Sequence, residues 1–215
     1  GIRRYFNGLL PLIGKIDNNI AIDLYLHSGS QINKSNFDKI RIKKLKEFSA
    51  PILQTLFVSA MASINKLTMN NQWKSLAGDV FHSTYYTRHP NVNILQVVTV
   101  YDMIHEKLPK YFKGRKHDNF RQLKKQTIEL ADAVICISEN TKKDVLKYCS
   151  IDKKKIHVIY PGVDKTFLPI KNKNFHKKFL IKNNLKKPYL LYVGTRGRYK
   201  NFNLLIKAFA FWKRH

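Results

Sequence analysis

The sequence predicts an α/β protein organised around a doubly wound parallel sheet, with a second, shorter α/β piece at its end. Three observations predict this. Short apolar, β-branched runs alternate with segments of helical periodicity along the chain. Several runs, such as ILQVVTVYD (94–102) and AVICIS (133–138), are almost continuously apolar, as parallel strands covered on both faces are. The rhythm then breaks once, over the basic, proline-bounded residues 168–188, before a final strand-like and helix-like pair.

Taken in order, a helix is expected over residues 3–15, followed by a strand at AIDLYL (21–26). The stretch SAPILQTLFVSAMASIN (49–65) carries no ionised group, yet Pro51, Gln54 and its serines make it too short and too polar to span a bilayer. It reads as a buried or half-buried helix over 51–67, with an interfacial helix as the alternative. Strands follow at DVFHST (79–84) and 94–102, a helix at 120–131, a strand at 133–138, a helix at 141–148, and a strand at IHVIYPG (156–162). After the break come YLLYVG (189–194) as a strand and 202–213 as a helix. Leu204, Leu205, Ala208, Phe209 and Trp212 recur there at helical spacing, giving one face to pack on a sheet. Residues 1–167 thus read as one domain, 168–188 as a linker and 189–215 as the beginning of another.

Composition narrows the partners. The 215 residues are 44% hydrophobic and 12% aromatic, enough for a core and unlike a disordered chain. Forty basic residues against fourteen acidic give a net charge of +26. Such a field favours anions: nucleic acid, an acidic membrane face or phosphorylated small molecules. A compositional bias towards Lys, Asn and Ile accounts for it equally, and the even spread of the lysines favours that account. Cys136 and Cys149 form no disulfide framework; Cys136 reads as a small buried apolar residue, and a cytoplasmic setting is expected. GIRRYFNGLLPLIGK does not have the architecture of a cleavable signal peptide.

In open α/β sheets, ligands sit beyond the carboxyl ends of the strands. YVGTRGRYKNF (192–202) places Gly194 at such an end, then Arg196, Arg198 and Lys200 ahead of a helix beginning at Asn201 and Phe202. Cations beside a helix N-terminus suit phosphate or diphosphate. The stretch lacks GK[ST] and G-x-G-x-x-G, and a solvated basic loop is the plain alternative. His82 stands at the end of its strand, either as a structural donor or as a functional imidazole. Asp102, His105 and Glu106 follow the most apolar strand; an acid there can bind a sugar hydroxyl, act as a base or cap the next turn. Ser138 ends another strand, with Thr141 and Asp144 at capping-box spacing behind it, so these residues read mainly as a helix start. No spacing matches a zinc signature, so neither a metal site nor a cofactor is expected.

In combination and in order, these stretches resemble the GT-B glycosyltransferases of family 4. GIRRYFNGLL looks like the glycine-bearing first loop and helix of that family's N-terminal domain. DVFHSTYY, VVTVYDMIHEKLPKYF and ADAVICISENTKKDVLKY look like its later strands. KIHVIYPGVDKTF is similar to the run into the interdomain linker, and YLLYVGTRGRYKNFNLLIKAF to the first βα unit of the donor domain. The resemblance implies a Rossmann-like N-terminal, acceptor-side domain over 1–167 without its first strand. Residues 189–215 would begin a nucleotide-sugar-binding Rossmann-like domain, and the sequence would be an inactive fragment of a longer transferase. It implies transfer of a hexose, with retention of configuration, from a nucleotide-diphosphate sugar to a glycan or lipid-linked acceptor in cell-surface polysaccharide synthesis. Arg196, Lys200, Gly194 and the rival Arg198 would hold the donor diphosphate. His82 and Asp102 would be the catalytic pair, while Gly1, His105 and Ser138 would line the acceptor or sugar side. The chain has Tyr101 where the family often has histidine, giving YD in place of HD. Residence in the cytoplasm, with peripheral contact at the inner face of the membrane, completes the expectation.

Two rival classes remain on sequence grounds. One is a basic nucleic-acid-binding protein, opposed by aromatics buried in strands and by the lack of an RNA-binding signature, so no nucleic-acid partner is expected. The other is a non-catalytic membrane-surface subunit using the positive field and residues 49–65.

Overall fold

The computed structural model describes residues 2–16, 20–26, 40–44, 78–163, 167–169, 172–186 and 188–214. The helix expected over 51–67 and Gly1 lie outside the described residues. The chain divides into two compact units, the first comprising residues 1–103 and 120–161, the second 104–119 and 162–215.

The first unit is α/β, as predicted. Helix α1 (Ile2–Ile16) leads to strands β1 (Ile22–Leu26) and β2 (Ile40–Lys44), which pair in parallel. Strands β3 (Val80–Ser83), β4 (Leu95–Val100), β5 (Ala133–Cys136) and β6 (Ile156–Val158) form a four-stranded parallel sheet in that spatial order. Helix α3 (Arg115–Glu129), whose first residues fall in the second unit, crosses over from β4 to β5, and helix α4 (Glu139–Tyr148) from β5 to β6, while residues 84–94 join β3 to β4 without a helix. A short helix α2 (Ile104–Lys107), also of the second unit, precedes α3.

Strand alternation explains the core. Val98 and Val100 of β4, Val134 and Cys136 of β5, and Ile156 of β6 pack with Ile128 of α3 and Val145 of α4 in one buried cluster. Val100, Ile128, Val134, Cys136 and Val145 are wholly shielded from solvent. Burial pushes the Cys136 thiol up to about 11, partly opposed by Lys142, so Cys136 behaves as the inert apolar residue the sequence suggests. A second cluster joins Phe6 and Leu10 of α1 to Ile22 and Leu24 of β1 and to Tyr101, just past β4. The helix thereby reaches the carboxyl ends of the strands.

Several buried polar residues of this unit hold its turns in place. Tyr86 takes a left-handed backbone (φ 52°), and Thr127 Oγ1 donates to its carbonyl at 3.4 Å. The buried Lys124 lays its ammonium 5.3 Å from the centre of the Tyr86 ring. Gln96 Oε1 accepts from His89 N while Gln96 Nε2 donates to His89 O, closing the turn before β4.

The second unit corrects one reading and adds a helix to another. Residues 188–197 form no strand, although YLLYVG carries a strand's composition. A strand is stabilised by lateral pairing, and the described residues offer none there. Within residues 168–188, expected as linker, helix α5 (Lys173–Lys182) forms, with Asn172 Oδ1 accepting from Phe175 N at 3.0 Å. Helix α6 (Phe202–Arg214) ends the described chain and agrees with its predicted span.

Candidate functional site

The residues singled out in the sequence fall into two local groups, one in each unit. In the first, the carboxyl ends of β3, β4 and β5 lie side by side because the strands are parallel and in register. His82, next to last in β3, meets Thr99 of β4 with Nε2 and Oγ1 2.8 Å apart. Thr99 is completely buried, so this contact fixes the imidazole from beneath. The edge of the His82 ring also meets Phe6 of α1, with centroids 5.4 Å apart and planes near perpendicular. Removal from water disfavours the imidazolium and holds His82 below its ordinary pKa.

Beside it, Tyr101 leaves β4 under Tyr5 of α1, ring centroids 6.1 Å apart. Burial, and then the neighbouring Tyr5, push the Tyr101 phenol far above its usual range, so it remains protonated. Its hydroxyl is buried and has no hydrogen-bond partner among the described residues. Asp102, the next residue, is exposed.

Ser138 does not present a free hydroxyl to this rim. It is the N-cap of α4: its Oγ accepts from Thr141 N at 3.1 Å and lies 3.0 Å from Thr141 Oγ1. The cap expected at Thr141 therefore sits one turn earlier, because Ser138 leaves β5 in an extended conformation from which its oxygen reaches the first free amides. Thr141 instead links outward, its hydroxyl 3.5 Å from the Tyr101 carbonyl, and so ties the start of α4 to the end of β4. The structure thus gathers His82, Asp102 and Ser138 along one sheet rim, with Thr99, Thr141, Tyr5 and Phe6 supporting them. Of these supports only Thr141 was singled out in the sequence, and that as a cap.

The second group is the basic turn. Gly194 adopts φ 150°, open to glycine and strained for other residues. The Tyr192 hydroxyl donates to the Thr195 carbonyl at 2.7 Å, closing the bend. A 3-10 turn follows over Arg198–Lys200, with Lys200 N donating to Gly197 O at 2.8 Å. Asn201 takes φ 52°, its carbonyl accepts from Leu204 N at 3.0 Å, and α6 begins at Phe202.

Both described cations of the turn rest on aromatic rings. The Arg196 guanidinium lies 5.2 Å from the centroid of Phe202, which is itself packed 4.7 Å from Tyr192. Lys200 Nζ lies 5.2 Å from the centroid of Tyr199. Arg196 and Lys200 are exposed, so each charge is open to an incoming anion while its stem is steadied. Arg198 is described through its backbone alone; its side chain lies outside the described part.

His105 falls with this unit. Its ring lies 4.1 Å from Phe112 and 5.6 Å from His117, and Phe112 in turn meets Tyr199 at 5.4 Å. The resemblance assigned His105 to the acceptor side; its ring contacts lie beside the basic turn.

Against this geometry, a family model described as Glycosyltransferase Family 4 matches residues 34–167. That span is more than half of the 215 residues. The chain belongs to glycosyltransferase family 4. A search of curated proteins found no match. The matched span of this family 4 chain covers β2 to β6, and with them the rim of His82, Asp102 and Ser138. A glycosyltransferase domain implies a sugar donor and an acceptor. Among the described residues of the family 4 chain, no helix is long and apolar enough to cross a membrane.

Proposed function

We propose that this family 4 chain serves in a GT-B transferase that moves a hexose from a nucleotide-diphosphate sugar to a glycan or lipid-linked acceptor, with retention of configuration. The observation that carries the reading is the turn of residues 194–200. Two exposed cations, each on its own aromatic ring, stand immediately before a helix N-terminus. When the anomeric C–O bond to the donor breaks, negative charge collects on the departing nucleoside diphosphate. Fixed cations and helix amides offset that charge without reorganising at the moment of reaction. Gly194 supplies the backbone bend that lets the diphosphate approach.

The rim of the first unit takes the acceptor and sugar side in this reading. The exposed Asp102 carboxylate accepts a hydrogen bond from a sugar or acceptor hydroxyl. His82, desolvated and held by Thr99, works as a neutral ring that shapes the rim. Positioning supplies the remaining acceleration. Ser138 contributes to that rim as the cap of α4. A net charge of +26 suits work against an anionic surface, at the cytoplasmic face of the cell membrane where lipid-linked precursors of surface polysaccharide are built.

The test is a titration with nucleotide-diphosphate sugars, read by tryptophan fluorescence, since Trp212 lies on α6, the helix that follows the turn. The expected result is a saturable change that free nucleoside diphosphate competes away and nucleoside alone does not. Equal competition by nucleoside would move recognition off the diphosphate and overturn the reading.

A further inference from the structure

Between Arg198 and Lys200 lies Tyr199, which the diphosphate reading leaves unused. Its neighbour Lys200 is exposed, yet Tyr199 is half-buried. Three contacts account for this. The ring meets Phe112 at 5.4 Å. It carries the Lys200 ammonium at 5.2 Å from its centroid. It also closes over Gly197, where an added Cβ would come within 3.6 Å of the Tyr199 ring. Phe112 is held in its own right, packed in a three-ring cluster with the His105 ring at 4.1 Å and the His117 ring at 5.6 Å.

We propose that Tyr199 is a positioning residue, its ring clamped on Phe112 so that Lys200 is held ready for the diphosphate. This rests on the reading of the turn as the diphosphate site. A lysine on a bare loop samples many rotamers and loses that freedom when it engages an anion. A ring fixed beneath the ammonium removes part of the loss in advance, which is how preorganisation raises affinity. The clamp also explains why an aromatic side chain sits beside the last cation of a turn otherwise built from glycines, cations and Thr195. Segment 104–119 supplies the other jaw, so a stretch distant in sequence sets the direction of the turn's last cation.

The experiment is a calorimetric titration of the full chain with inorganic pyrophosphate. Tyr199→Leu is expected to weaken binding about three- to fivefold, the loss of one exposed cation–ring contact. Tyr199→Phe, which keeps the ring, should bind as the unsubstituted chain does. Phe112→Leu should cost the same factor as Tyr199→Leu, and the pair together no more than either alone. In a Lys200→Ala background, Tyr199→Leu should have no further effect, an outcome that general loosening of the fold would not give. Multiplying effects, a defective Tyr199→Phe chain, or an undiminished Tyr199→Leu effect without Lys200 would each overturn the clamp while leaving the diphosphate site in place. Absence of pyrophosphate binding by the unsubstituted chain would overturn both.

Discussion

The sheet of the first unit and residues 189–214 of the second use similar amino acids to opposite effect. Along β4 and β5, Val98, Val100, Val134 and Cys136 are shut away from solvent beneath α3 and α4. Along residues 189–193 and α6, Leu190, Leu191, Val193, Leu204, Phe211 and Trp212 are mostly exposed. Among the described residues 162–214 none is buried. An apolar run becomes a strand when a neighbour satisfies its amides and helices cover its faces; hydrophobicity alone does not do it. The first unit can accordingly hold a polar rim rigidly. The second holds its cations by local devices: a tyrosine-closed bend, a 3-10 turn and rings beneath the charges.

The sharpest way to break this contrast is to cut one aliphatic side chain from each unit. Ile128→Ala in the core should cost about 2–5 kcal/mol, seen as a lower denaturant midpoint. Leu204→Ala on the exposed face of α6 should change it by about 0.5 kcal/mol or less. Equal losses would show that α6 is buried after all. Next in size is Thr99→Val, which keeps the shape but strands the His82 Nε2 it meets at 2.8 Å; the expected cost is about 1–3 kcal/mol. Ser138→Ala removes the cap of α4 and should cost about 1 kcal/mol, read by thermal melting, with Ser138→Asp restoring most of it.

The smallest effect is on pH dependence. The folded pKa of His82 lies below its ordinary 6.5 because burial disfavours the charged ring. Below that value the unfolded chain takes up a proton that the folded chain refuses. The stability due to the neutral ring is therefore whole above pH about 6.5 and drains away as pH falls towards the folded pKa, by at most about 1.4 kcal/mol per unit. Subtracting the profile of His82→Gln from that of the unsubstituted chain should isolate this slope. A flat difference between neutral and mildly acidic pH would show that the ring is not desolvated.

The legible parts of the fold were those where pattern and pairing agree. Strands at Val80–Ser83, Leu95–Val100 and Ala133–Cys136 fall inside the apolar runs that predicted them, and the helix after Asn201 matches its periodic stripe. YLLYVG failed because periodicity reports side chains and is blind to whether a partner strand exists. Helix α5 hid in a lysine-rich segment whose charge masked a modest apolar spacing of Phe175, Phe179 and Leu180. At the site, the glycine and cations of the turn were visible as residue types. Their aromatic supports were not, because Phe112 and Tyr199 are far apart in sequence and only folding brings them to 5.4 Å. Thr99 stayed hidden for the same reason: a threonine inside a strand looks like any β-branched residue until His82 is placed beside it.

The central claim is that the turn of residues 194–200 grips a diphosphate. Its most direct test is calorimetric titration of the chain with a nucleoside diphosphate at low and at high salt, beside the Arg196→Gln, Lys200→Gln double variant. The account predicts one saturable site that weakens with salt and loses about tenfold or more in affinity when both charges are removed. Equal affinity in the two proteins, or no saturable binding in either, would contradict it.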